Sequence, residues 1–178
     1  MTDRIFTIFS SVIRRISPGM LLAVWLGLAV VGCVPASQAN QQDVSGLDQA
    51  ATTLKSFLEA LHSGGYDEAA TLYGGGYELL QAWNPEVLPD DHAALLEHGC
   101  MINGLQCLEL RQINSREQLD AHTFHFEVQF TNPDGSLFRR GPCCGATEAK
   151  MPTQVSFSFT VQRQDEHYYI LDLPPYVP

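Results

Sequence analysis

Asp120 and His122 stand two residues apart at the head of a run of alternating aromatic residues. A carboxylate and an imidazole can act as a general acid/base pair, provided both reach one cavity. The commoner role for such a pair is structural, with a partly buried His at a strand end and the Asp in the preceding turn, and the sequence favours that role. The remaining polar chemistry groups poorly. His122 and His125 are three apart on an extended segment, so their rings point to opposite faces. His92 and His98 are six apart, which misses the spacing of four that puts two ligands on one helix face. No metal or cofactor is expected. Gly74-Gly75-Gly76 lacks the Lys and Ser/Thr of a phosphate-binding loop, and no Ser sits in a Gly-x-Ser-x-Gly elbow.

Sulfur is the more informative element. Cys33 closes an apolar run from Met20 to Val31, which follows Arg4, Arg14 and Arg15. A charged start, a short apolar middle and small residues before a cut are the marks of a secretory signal, and the run is short for a bilayer span, which makes an uncleaved anchor the weaker reading. The sequence Val30-Val31-Gly32-Cys33 resembles a bacterial lipobox. The resemblance implies diacylglyceryl transfer to the Cys33 sulfur and cleavage just before it, so that 1–32 is a signal peptide and Cys33 the first residue of a lipid-anchored, extracytoplasmic protein at the cell membrane. Cleavage after Ala39 in Ser37-Gln38-Ala39 is the rival and would release the chain. The apolar run ends directly at Cys33, which favours the lipobox.

Four cysteines remain: Cys100, Cys107, Cys143 and Cys144. An even set in an exported domain reads as disulfides. Neighbouring Cα atoms lie about 3.8 Å apart across a trans peptide, whereas a relaxed disulfide spans about 4.4–6.8 Å. The expectation is therefore that Cys100 and Cys107 each pair with one member of the Cys143-Cys144 doublet. A four-thiolate zinc site is the weaker alternative, since the short Cys-x-x-Cys spacing is missing.

Composition narrows the partners. From Val34 onward there are 7 Lys and Arg against 19 Asp and Glu, a net charge of −12. Such a surface repels nucleic acid and anionic headgroups. The acidic residues are scattered, as solvated faces require. About 145 residues follow Cys33 and the whole chain is 45% apolar, enough for one domain with a real core.

Residues 33–46 are rich in Pro, Ser, Gln and Asn and read as the lipid-bearing Cys and a flexible tether, leaving 47–178 as the domain. Leu47, Ala51, Leu54, Phe57, Leu58 and Leu61 form one helical stripe over Leu47 to His62, ended by Ser63-Gly64-Gly65. Shorter helices are expected over Asp67 to Tyr73, Tyr77 to Trp83 and Asp91 to His98, the last stopped by Gly99. The period then changes to two. Strands are expected at Gln106 to Ile113, His122 to Phe130, Ser136 to Arg140, Thr153 to Arg163 and His167 to Leu173. Asn132-Pro133-Asp134-Gly135 makes a turn, and Pro174-Pro175 ends the sheet. Two to three N-terminal helices packed on a curved antiparallel sheet of about five strands is an α+β arrangement.

The segment Leu54-x-x-Phe57-Leu58-x-Ala60-Leu61-x-x-Gly64-Gly65-Tyr66-x-x-Ala69-Ala70-x-Leu72-Tyr73 resembles the opening of nuclear-transport-factor-two-like domains, the cystatin-like α+β cone. The resemblance covers roughly Leu47 to Leu173 and rests on helix spacing and strand order, not on a catalytic motif. It implies a sheet wrapped on the first helix, often leaving a cone-shaped pocket, which Tyr73, Tyr77, Trp83, Phe124 and Phe126 could line. Core packing is the commoner use of such an aromatic cluster. Ketosteroid isomerase and polyketide-cyclase relatives place a carboxylate or His in the cone, which is what makes Asp120 and His122 catalytic candidates. The resulting expectation is a non-catalytic, lipid-anchored domain that binds a small apolar ligand or an envelope protein through the cone opening. An isomerase- or dehydratase-like enzyme using Asp120 and His122 is the alternative. A purely structural envelope protein, its cone packed solid by Phe124, Phe126, Phe157 and Phe159, is the third.

Overall fold

The computed structural model describes residues 38–178, with side chains from Ser45 onward. The expected signal peptide, the lipobox-like sequence, Cys33 and Ser37 of the rival cleavage site lie outside the described residues. Four helices precede four strands: α1 (Gln38–Ser63), α2 (Tyr66–Leu72), α3 (Glu78–Trp83), α4 (His92–Met101), β1 (Glu109–Gln118), β2 (Thr123–Thr131), β3 (Phe157–Gln164) and β4 (His167–Ile170). The strands form one antiparallel sheet in the order β1-β2-β3-β4, so each pairs with its neighbour in the chain. The chain is thus α+β, with an open four-stranded sheet.

Helix α1 lies against all four strands. Ala50, Ala51, Leu54, Phe57, Leu58 and Leu61 are buried along it, which is the stripe the helical spacing requires. The helix starts at Gln38, so the second half of the expected tether is helical. Between Pro35 and Gly46 there is no helix breaker, and polar residues extend a helix without adding to its apolar stripe.

Strand β2 alternates buried and half-buried residues along its whole length. Phe124, Phe126, Val128 and Phe130 face α1, and across the ladder Phe126 opposes Phe159 while Val128 opposes Phe157. Cross-strand aromatic and aliphatic pairs of this kind stabilise a sheet by about 0.2–1 kcal/mol each. Phe130 packs on both Phe157 and Phe159, with ring centroids 5.8 and 6.2 Å away.

Several expected boundaries need correction. Strand β1 lies later than its apolar residues suggested, because irregularities between Leu110 and Gln112 and between Ile113 and Ser115 break its period of two. Ser136 to Arg140 forms no strand. It makes two isolated bridges, Thr131 to Leu137 and Arg140 to Gln154, and Gly141-Pro142 follows. Strand β4 ends at Ile170 rather than Leu173. Gly99 does not stop α4, which runs on to Met101. Gly99 is buried, and a Cβ there would lie 2.8 Å from Leu105 Cδ1 and 3.1 Å from Leu80 Cδ2. It serves close packing, not termination.

Candidate functional site

The aromatic residues expected to line a pocket are packed into the core instead. Phe124 is 1% exposed, Phe157 7%, and Phe126 and Phe159 not at all. Tyr73 and Tyr77 are buried with them, and Trp83 packs on the edge of the same core and against Tyr176. The Tyr73 hydroxyl donates to the Gly76 carbonyl at 3.1 Å. The Tyr77 hydroxyl is buried without a partner, while its ring stacks on His92 at 3.9 Å and meets Tyr73 edge-on. Burial pushes both phenols up to about 12.

Asp120 and His122 are exposed in the turn between β1 and β2. One Asp120 carboxylate oxygen accepts from the backbone N–H groups of His122 (2.7 Å) and Thr123 (2.8 Å). These bonds hold the Asp120 carboxyl below its usual range, with the His122 backbone the largest influence. The pair is therefore a turn lock in which the His122 backbone, not its ring, is the partner. The nearby groove, about 320 Å³ between Gln49, Gln118, Phe124 and Tyr168, is lined by neither. The structure brings the two residues together in sequence only, with no shared cavity for a reacting atom.

His98 and His125 also have local partners. His98 Nδ1 lies 3.2 Å from the Asn84 side-chain oxygen and 3.6 Å from Glu86, and His125 lies 3.7 Å from Glu127. Among the described residues, no three His, Cys, Asp or Glu side chains gather as metal ligands. No helix of the described residues is long and apolar enough to cross a membrane.

The cysteines overturn the expected connectivity. Cys100, in the last turn of α4, is joined to Cys107, with Cα atoms 5.5 Å apart and seven residues of separation. Cys143 and Cys144 are left as free thiols. Loop closure accounts for the difference: α4 turns back at Asn103-Gly104, where Gly104 takes φ +90°, and that turn carries Cys107 to Cys100. The expected connectivity requires all four cysteines to be bonded, whereas only two are.

Cys143 and Cys144 occupy a turn closed by the Ala146 N–H donating to the Cys143 carbonyl at 2.9 Å. Cys144 (φ 58°) and Gly145 (φ 83°) are both left-handed, as in type I′ turns. Cys144 adopts this conformation without glycine's freedom, and the two Sγ atoms lie 2.8 Å apart. The hydrogen bond between the thiols, followed by burial, raises the Cys143 thiol above its usual range, while Arg140 pulls the other way. The Cys143 N–H points at the Met151 sulfur, 3.4 Å away. Met151 is returned to the doublet by a turn in which its N–H donates to the Thr147 carbonyl at 2.9 Å.

These residues form one side of a cavity of about 660 Å³. Phe138, Pro142, Tyr176 and Val177 supply apolar walls, and Arg139 and Arg140 supply charge. The C-terminal segment closes it from the far side. It is fixed by the Val177 N–H donating to the Gly104 carbonyl and the Gln106 N–H donating to the Pro175 carbonyl. Sequence reasoning placed Cys143 and Cys144 in a tied loop and missed this cavity. The visible signal was the doublet set between Arg139-Arg140 and Met151; the pairing of residues 104–106 with the C-terminal segment has no period to betray it.

No protein-family model matches this chain, and the search of curated proteins finds no significant match.

Proposed function

We propose that this chain is a non-catalytic binding module with a cystatin-like cone fold, exported and held at the extracytoplasmic face of the cell membrane by lipid on Cys33, and that it takes a small apolar ligand in the cavity beneath its C-terminal segment. One observation carries the choice of site: the interior face of the sheet is filled by its own Phe side chains, with Phe126, Phe130 and Phe159 fully buried. A ligand therefore has to bind outside the core. The C-terminal cavity, at about 660 Å³, falls in the range of about 300–1,000 Å³ typical of small-molecule sites, and it has apolar walls with a few polar groups.

The reading of export is supported by the signal-like N-terminal pattern and by Cys100–Cys107, since disulfides persist in oxidising compartments. The cone reading is supported by α1 lying across the whole sheet.

Two measurements on protein from membranes test the proposal. Intact mass is expected to report a chain that begins at an acylated Cys33; a chain beginning at Asn40, or one that retains Met1, overturns the anchor. Amide chemical-shift mapping with small apolar compounds is expected to move signals at Phe138, Met151 and Tyr176. Shifts centred on Phe126 and Phe159, or none at the C-terminal cavity, overturn the site.

A further inference from the structure

We infer that Cys143, Cys144 and Met151 form a binding site for a soft monovalent cation, Cu(I), at the edge of the C-terminal cavity. The inference goes beyond the apolar-ligand reading and stands whether or not the chain is anchored. Three sulfur-bearing side chains line one edge of the cavity, held there by separate pieces of backbone. The left-handed turn at Cys144-Gly145 sets both thiols side by side, and the turn from Thr147 brings the Met151 thioether to the Cys143 backbone.

The donor set selects the metal. Zinc sites are built from Cys, His and carboxylates, and a thioether adds little to them. Thiolate with thioether is the combination that soft Cu(I) prefers. The residues lining the cavity include no His, Asp or Glu. The closest such carboxylate in the loop, Glu148, is occupied by the Thr153 N–H and hydroxyl.

Geometry and charge agree with binding. Two thiolates on one metal at about 2.3 Å stand roughly 4 Å apart. The present 2.8 Å separation reaches that by a modest side-chain rotation, which the exposed Cys144 is free to make. Binding replaces two S–H bonds by two S–Cu bonds and releases two protons; copper stays Cu(I) and nothing is oxidised. The bound site carries one net negative charge. Arg140 lies in the same cavity wall, and its guanidinium offsets that charge.

The test is an anaerobic titration of the full protein with Cu(I) against a chromogenic Cu(I) chelator, under reduction mild enough to leave Cys100–Cys107 intact by peptide mass. One Cu(I) per chain is expected. Cys143→Ser and Cys144→Ser should each abolish competition with the chelator, and Met151→Leu, which keeps the side-chain volume, should weaken binding about tenfold. X-ray absorption should show sulfur neighbours only. Undiminished binding by Met151→Leu removes the thioether from the site, and undiminished binding by either Ser variant removes the doublet; each overturns the inference. So does displacement of Cu(I) by an equal amount of Zn(II), or a doublet that stays locked as a disulfide under the same reduction.

Discussion

Replacing both Cys100 and Cys107 by Ser opens the covalent link between the end of α4 and the approach to β1. The closed loop is short, with a separation of seven residues. In the chain-entropy treatment, a loop of that length constrains the unfolded chain by about 2.4 kcal/mol at 25 °C. A bond from Cys107 to Cys143 would instead close a loop of 36 residues, worth about 3.8 kcal/mol by the same relation. Cys100 and Cys107 are only partly buried, packed on the core's edge, so the cavity contribution of the change to Ser is small beside the entropic one. For a domain of this size the loss corresponds to a fall in Tm of roughly 8 °C. Urea unfolding of wild type and double variant, read by circular dichroism, measures the difference directly. Unreduced proteolytic mapping of the wild type should give one cross-linked product that holds Cys100 and Cys107 and leaves Cys143 and Cys144 open to alkylation. A cross-link from either to the doublet, or a double variant as stable as wild type, refutes the reasoning.

Further perturbations separate kinds of buried polar contact and backbone constraint. Tyr77→Phe removes a buried hydroxyl without a partner, so stability is expected to hold or rise by up to about 1 kcal/mol, whereas Tyr73→Phe breaks the bond to the Gly76 carbonyl and should cost about 1 kcal/mol; equal effects in urea unfolding contradict this contrast. Both phenols titrate near 12 in the folded chain, against about 10 when unfolded, so their contribution is complete below pH 10 and is lost as the pH climbs towards 12, by roughly 2 kcal/mol for each ring; phenolate absorbance should show two tyrosines lagging the rest until the chain unfolds. Gly104→Ala places a Cβ against the Val177 carbonyl oxygen at a residue with φ +90°, and should cost at least about 2 kcal/mol and free the C-terminal segment; unchanged hydrogen-exchange protection of the Val177 amide would disprove that packing.

What could be read in the sequence was what repeats. The stripe from Leu54 to Leu61 and the alternation from Phe124 to Phe130 follow from periods of 3.6 and two, and both are buried on the faces those periods imply. Strand β1 was misplaced because its two irregularities each add a residue out of phase. Gly99 was misread because a glycine needed for close packing looks the same in sequence as one that ends a helix. The resemblance to catalytic cone proteins pointed at Asp120 and His122, but a two-residue spacing before a strand equally describes an Asx turn, and the backbone bonds to Asp120 show that use. The C-terminal cavity was hidden for a different reason. Its walls come from a loop, an irregular border segment and the chain's last residues, none of which has a hydrophobic period.

The division of the cysteines follows from one physical preference. Closing a loop costs more conformational entropy as its length grows. Cys100 and Cys107 need only the turn at Gly104 to meet, and that turn is also held by the C-terminal segment through the bond between Val177 and the Gly104 carbonyl. Once that pair is joined, the doublet has no cysteine left to reach among the described residues, and adjacency alone disfavours a relaxed bond between its own members. Two thiols are thus kept together, unbonded, with one exposed and a thioether beside the other. Core packing would have buried them, and covalent bracing would have spent them. A left-handed Cys144 does neither, and the turn it makes leaves two sulfur atoms side by side, as the inferred soft-cation site requires.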